Sequence, residues 1–224
     1  MHTSDDRFTV ATPTFPDDIL NPGIAKLRIT SVSVSTRVFD RRCETQASIT
    51  FVNQAKSTIE IKLQPTFFFG YGPWIGAAPK PLTLHMEADN GKRASYVSGQ
   101  ELRYLSEIDA DGCMFMMGGP DGPIQLAVKP GKEHWIKYRY STPIGFNSQG
   151  KPGVVGHDLS ANSWKRPLEA LTFEAVIDPS SKWQFDRGSR GFSWKLSAKA
   201  ASFQAKSFRY VDPRESMIAL WLKR

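Results

Sequence analysis

Nine short runs of the chain put apolar residues at every second position, and that spacing is the strongest constraint on its fold. Val32, Val34 and Val38 share one parity; Ala47, Ile49 and Phe51 repeat it, as do Ile59, Ile61 and Leu63. Leu82, Leu84 and Met86 follow, then Ile124, Leu126 and Val128, then Ile136, Tyr138 and Tyr140. The last runs are Leu171, Phe173, Ala175 and Ile177; Phe192, Trp194 and Leu196; and Ile218, Leu220 and Leu222. Side chains alternate faces along a strand, so each run offers one apolar and one polar face. An apolar face must be buried against another layer. The pattern predicts an all-β protein.

Turn chemistry agrees. Asn90-Gly91 suits a tight hairpin, and Pro130-Gly131 a turn with proline first and glycine second. Asp111-Gly112 and Asp121-Gly122 mark further reversals. Helical signals are confined to SGQELRYLS (98–106), where Ser98 can cap and Glu101 lies three residues on, and to ANSWKRPLEAL, which Pro167 limits.

Two stretches lack the rhythm. Residues 1–23, with Pro13, Pro16 and Pro22, read as an extended arm. Residues 141–167, rich in Gly, Pro, Asn and Ser, read as a long loop. Too few strands follow that loop to make a sandwich of their own. Residues 24–224 are therefore expected to form a single elaborated antiparallel β-sandwich. ITFVNQAKSTIEIKLQP with the later AVKPGKEHWIKYRY resembles immunoglobulin-like and jelly-roll sandwiches, a likeness of fold that carries no function.

With 224 residues, 40% hydrophobic and 12% aromatic, the chain can bury a substantial core. It has no apolar run near the roughly 18 residues that cross a bilayer. MHTSDDRFTV begins with acidic residues where a signal peptide needs positive charge, so the expectation is a soluble chain with no export address. The compartment stays open. The net charge of +7 is uneven: residues 1–23 carry four aspartates against Arg7, a balance of −3, which leaves +10 on the rest. A basic body favours polyanionic partners, and also favours solubility without any partner. Cys43 and Cys113 have no zinc or redox spacing and read as buried thiols or one bridge.

Signatures of catalysis are missing. His2, His85, His134 and His157 show no HxH or HExxH spacing. His134 sits in a strong strand pattern, and His157-Asp158, in the expected loop 141–167, is a neighbouring His–carboxylate pair, though adjacent residues do not normally point the same way. DADG (109–112) resembles the opening of a calcium loop but lacks the downstream glutamate, so an Asp-Gly turn is expected. GYGPWIG lacks the Lys-Ser/Thr of a phosphate loop, and MMGGPDGP opens no helix. No metal, cofactor or catalytic residue is assigned. Glu169, Glu174 and Asp178 are the carboxylates that a glycan-active enzyme would have to pair.

Binding signals are stronger. RGSRGFSWK (187–195) sets Arg187, Arg190 and Lys195 beside Phe192 and Trp194, either as a polyanion-binding loop or as a hairpin turn with solvated charges and rings entering the core. RVFDRR (37–42) and KYR (137–139) add positive charge. In PTFFFGYGPWIGAAPKP (65–81), Phe67 continues a core parity, which turns Phe68 outward. Tyr71 and Trp74 follow on a Gly/Pro loop, so Phe68, Tyr71 and Trp74 form either a contact platform or a cap on the core. The leading expectation is a non-enzymatic interaction or structural protein, such as a subunit of a larger assembly of viral or particle type. The alternatives are a glycan- or nucleic-acid-binding module and a glycan-active enzyme. A protein partner or self-assembly is the expected contact, with a polyanion next and no membrane span.

Overall fold

The expected alternation is realised as strands in a computed structural model, which describes residues 8–9, 11–13, 23, 26–63, 66–69, 82–97, 102–104, 114–118, 124–147, 149–158, 168–208 and 217–224. In chain order the strands begin with β1 (Phe8–Thr9), β2 (Ala11–Pro13), β3 (Leu27–Val38), β4 (Arg42–Asn53), β5 (Ile59–Leu63) and β6 (Thr66–Phe69). Next come β7 (Thr83–Ala88), β8 (Arg93–Val97), β9 (Leu102–Tyr104), β10 (Met114–Gly118), β11 (Ile124–Val128), β12 (Glu133–Pro143) and β13 (Gly145–Asn147). The rest are β14 (Pro152–Asp158), β15 (Leu168–Ile177), β16 (Gln184–Gly188), β17 (Lys195–Leu196), β18 (Ala200–Phe208) and β19 (Met217–Lys223). The described residues contain no α-helix.

Four sheets result. The largest has eight strands in the order β17-β18-β15-β3-β4-β12-β7-β8. A five-stranded sheet runs β1-β13-β14-β19-β16, a four-stranded sheet β2-β6-β10-β9, and β11 pairs with β5. Every pairing in the eight-stranded sheet is antiparallel except one: β15 lies parallel to β3, with Phe173 opposite Val34. That pair is the one parallel exception in this sheet of the expected antiparallel class. The β-layered class itself is as the periodicity requires.

The eight-stranded sheet has one dry face and one wet face. Val32, Val34, Phe51, Ile136, Leu171 and Phe173 are buried in a single core cluster with Ile61 and Leu126 of the β5–β11 pair and Val155 and Leu220 of the five-stranded sheet. Each such side chain withdrawn from water stabilises the fold by about 1.5–3 kcal/mol. The opposite face is polar; one row across it reads Arg139, Gln46, Ser35, Glu174 and Ser202. Antiparallel sheets commonly divide their faces this way. Within β3 the buried parity changes, from Leu27 and Ile29 to Val32, Val34 and Val38. A bulge between Ile29 and Ser31 absorbs the extra residue, keeping both apolar sets on the core side.

Two segments without a clear rhythm also join sheets. The expected loop 141–167 contains the end of β12, all of β13 and all of β14; residues 159–167 lie outside the described set. From the expected arm, β1 pairs with β13 and β2 with β6. Of the proposed helical turns, Leu102–Tyr104 is a strand and so is the segment from Leu168 onward. Pro130-Gly131 makes the expected turn: Gly131 has φ +67°, a region open to glycine, and its N–H donates to the Asn53 carbonyl. Cys43 is a buried free thiol, and burial pushes its pKa up, so it stays protonated; Cys113 lies outside the described residues.

A polar residue locks the end of the core. Asn53 is 1% exposed. Its Nδ2 donates to the carbonyls of Ser57 (2.8 Å) and Val128 (2.7 Å), and its Oδ1 accepts from the Ala55 N–H at 2.8 Å. This amide thereby joins β4, the turn into β5, and the end of β11. Asn53→Ala removes three buried bonds and orphans their partners, at about 1–3 kcal/mol for each unsatisfied group. Urea denaturation of Asn53→Ala is expected to show a loss of roughly 3 kcal/mol, and a loss under 1 kcal/mol contradicts the locking role.

Candidate interaction surface

The most strongly basic part of the described chain follows β15. Between 182 and 199, Lys182, Arg187, Arg190, Lys195 and Lys199 face a single acidic residue, Asp186. The turn that launches this segment is tied down by two carboxylates. Asp178 accepts from the Ser180 hydroxyl (2.5 Å) and N–H (3.0 Å), and Arg37 closes on it at 2.7 Å. The Ser180 bonds, then the Arg37 guanidinium, hold its carboxyl below the usual range. Asp40 accepts from the Lys182 N–H and the Ser181 hydroxyl, both at 2.9 Å, and those bonds hold its pKa down likewise. The Trp183 indole donates to the Asp40 carbonyl at 2.9 Å, and the Lys199 ammonium donates to the carbonyls of Ser181 and Trp183.

Beyond this turn, cations are laid on tryptophans. Arg187 sits 4.6 Å above the Trp221 ring, its cross-strand partner on β19, and Arg224 sits 4.6 Å above Trp183. Lys223 pairs with Asp186 at 3.0 Å. A bulge between Phe185 and Arg187 allows Phe185 to stay in the core while Arg187 is exposed. A guanidinium placed over an aromatic face is attracted to the ring and pre-oriented at small entropic cost.

The turn at 188–194 is built from the inside. Phe192 lies 4.4 Å from Phe203 in centroid distance, Trp194 lies 4.7 Å from Phe203, and Trp194 meets Phe173 edge-on at 5.6 Å. The indole N–H of Trp194 donates to the Ser189 carbonyl at 2.9 Å, and the Ser189 N–H donates to the Ala219 carbonyl at 2.8 Å. Gly188 permits this closeness, because a Cβ there would fall 2.2 Å from the Trp194 indole nitrogen. Arg190 and Lys195 remain exposed on either side of the anchored rings.

Of the residues expected to bind, Arg187, Arg190 and Lys195 are exposed, Arg187 over Trp221 of the five-stranded sheet and Lys195 in β17 at the edge of the eight-stranded sheet, whereas Phe192 packs half-buried in the turn between them. Leu196, assigned to an apolar run, is 40% exposed in the two-residue β17, so that run is not one strand. Phe68 lies in β6, in register with Phe115 and Thr12; Tyr71 and Trp74 lie outside the described residues, as does the DADG segment. Trp183, Trp221, Lys223 and Arg224 escaped the sequence reading. Ile218, Leu220 and Leu222 had marked that last segment as a strand, but nothing local said which strand would lie beside it.

The candidate catalytic groups are engaged elsewhere. His134 stacks on Phe51; its Nε2 accepts from the Lys129 N–H at 3.1 Å, which puts the proton of the neutral ring on Nδ1, 2.6 Å from Asp89. His157 is buried with Nδ1 2.6 Å from the Tyr140 hydroxyl, and burial lowers its pKa to about 4. Glu169, Glu174 and Asp178 follow one another along and just beyond β15, about 17 and 13 Å apart at the usual rise per residue. Paired glycosidase carboxyls sit about 5–9.5 Å apart. Glu169 is also paired with Arg28 at 3.1 Å. Among the described residues no three His, Cys, Asp or Glu cluster as a metal site would.

No protein-family model and no curated protein matches the sequence. Among solved structures, the chain is similar to a candidate nutrient binding protein from Legionella pneumophila subsp. pneumophila at TM-score 0.62 and 11% identity, over 96% of this chain and 72% of that one. An M1 zinc metallopeptidase from Deinococcus radiodurans aligns at TM-score 0.38 and 12% identity, over 88% of this chain and 42% of that one. The first likeness is one of fold; the second is too weak to carry an argument.

Gly188→Ala tests the anchoring. The added methyl must expel the Trp194 indole from the Phe173–Phe203 cluster, an overpacking that costs about 1–3 kcal/mol. Urea unfolding of Gly188→Ala is expected to show that loss together with a shifted tryptophan emission, while exposed Ser193→Ala stays within about 0.5 kcal/mol of wild type. Equal stability of the two variants contradicts the arrangement.

Proposed function

We propose that the chain is a non-catalytic interaction module that takes an anionic partner on the surface formed by β16, the end of β19 and the 188–195 turn. What supports this reading is the run of five exposed cations, Arg187, Arg190, Lys195, Lys223 and Arg224, on β16, the 188–195 turn and the end of β19, two of them with guanidiniums over tryptophans. The rings are occupied: Trp221 and Trp183 by arginines, Phe192 and Trp194 by Phe203. The surface therefore favours recognition by charge over stacking on bases or sugars.

The test is titration of the protein with a duplex oligonucleotide, a single-stranded oligonucleotide and a heparin fragment at several salt concentrations. Binding to at least one is expected to weaken steeply with salt. Replacing Arg187, Arg190 and Lys195 together by Gln is expected to cost on the order of a hundredfold in affinity at 0.1 M salt and to flatten the salt dependence. Affinity unchanged by the triple substitution rules out this surface.

A second reading, a subunit that assembles with copies of itself, draws on the N-terminal strands. β1 and β2 complete the edges of two different sheets by backbone pairing, a contact that can be exchanged between copies. Mass photometry and light scattering are expected to show oligomers that disappear when residues 1–13 are removed. A strict monomer at high concentration excludes this reading.

A further inference from the structure

The Tyr140–His157 contact lies at a seam that the anion-binding reading does not use. Tyr140 belongs to β12 in the eight-stranded sheet and His157 to β14 in the five-stranded sheet. Their polar atoms are 2.6 Å apart and their rings stack at 5.9 Å, with both residues buried. β14 pairs along its length with β19, placing His157 opposite Ile218 and Val154 opposite Trp221; Trp221 in turn lies opposite Arg187 of β16. The seam thus stands two strands from the basic surface within one hydrogen-bonded ladder.

We propose that this contact is an acid-operated latch: protonating His157 loosens β14 from β12, and with it the ladder that presents the basic surface, so that anion binding weakens as the pH falls. This rests on the anion-binding reading. Among the described residues the charged form of the ring has little to hold it. From β12 it faces Tyr140, with buried Tyr138 two residues along; from β19 it faces Ile218. β2, which lies against both β12 and β14, brings Ala11–Pro13, and β13 brings Gly145–Asn147, none of them ionisable. The one charged residue beside it on its own strand is Asp158.

The direction follows from linkage. A neutral buried imidazole with pKa about 4, against an ordinary 6.5, leaves the closed state fully favoured above pH 6.5. The opened state, whose ring binds protons normally, gains as the pH falls from 6.5 towards 4. Between pH 7.5 and pH 5 the opening equilibrium moves by about thirtyfold. Charge alone acts the other way, since a more positive protein binds anions more tightly in acid.

Hydrogen exchange of the Val155 and Leu220 amides, corrected for intrinsic rates, is expected to quicken by about that factor from pH 7.5 to pH 5 in wild type and far less in His157→Gln. Heparin-fragment affinity is expected to fall over the same interval in wild type and to hold or rise in the variant. Identical exchange profiles overturn the latch, and a latch without an affinity change overturns its coupling to binding. Absence of heparin binding at pH 7.5 removes the coupling but leaves exchange to decide the latch. If His157→Gln does not fold, NMR titration of the wild-type imidazole decides: a midpoint near 6.5 overturns the proposal, and one below 5 supports it.

Discussion

The eight-stranded sheet has a face that must stay out of water, and the rest of the molecule is arranged to cover it. Val32, Phe51, Ile136 and Phe173 come from four different strands but from one side of the sheet, and they meet one contiguous core. No single layer suffices. The β5–β11 pair covers part of the face and the five-stranded sheet another, which is why a polar amide at Asn53 and a phenol–imidazole pair stand where those layers meet the large sheet. Buried polar groups that are fully paired fix one register among several that hydrophobic contact alone would tolerate.

How much of this was readable in the sequence depended on whether each strand is wet on one side. β4, β5, β11, β12 and β15 are, and their apolar residues keep the beat. β14 is not: Val154 packs in one cluster and Val155 in another, on opposite sides of the same sheet, with glycines around them. A strand buried on both faces has no alternation, so PGVVGHD looked like loop. The opposite error occurred at Phe192, Trp194 and Leu196, whose spacing imitates a strand although the first two are anchors of a turn.

The candidate site was half legible for a related reason. RGSRGFSWK announced cations and rings together, but the rings turned out to support the turn while the cations occupy the surface. Which ring would lie under which guanidinium depends on pairings such as Arg187 with Trp221, far apart in the chain and set by sheet order. In the sequence His157 stands beside Asp158, whereas its hydrogen-bonding partner is Tyr140, 17 residues earlier on another sheet.

The parallel seating of β15 on β3 governs how the molecule can come into being. Arg37 and Asp178, joined across this junction, are 141 residues apart. Closing a span of that size costs on the order of 4 kcal/mol in chain entropy before any contact rewards it. During synthesis, the hairpin of β3 and β4 emerges long before the strand that will occupy its open flank. Until then, the Val32–Val38 edge is a row of unanswered backbone groups, a template for any other extended polypeptide nearby. Slow maturation and a need for protection on the ribosome are therefore built into the topology.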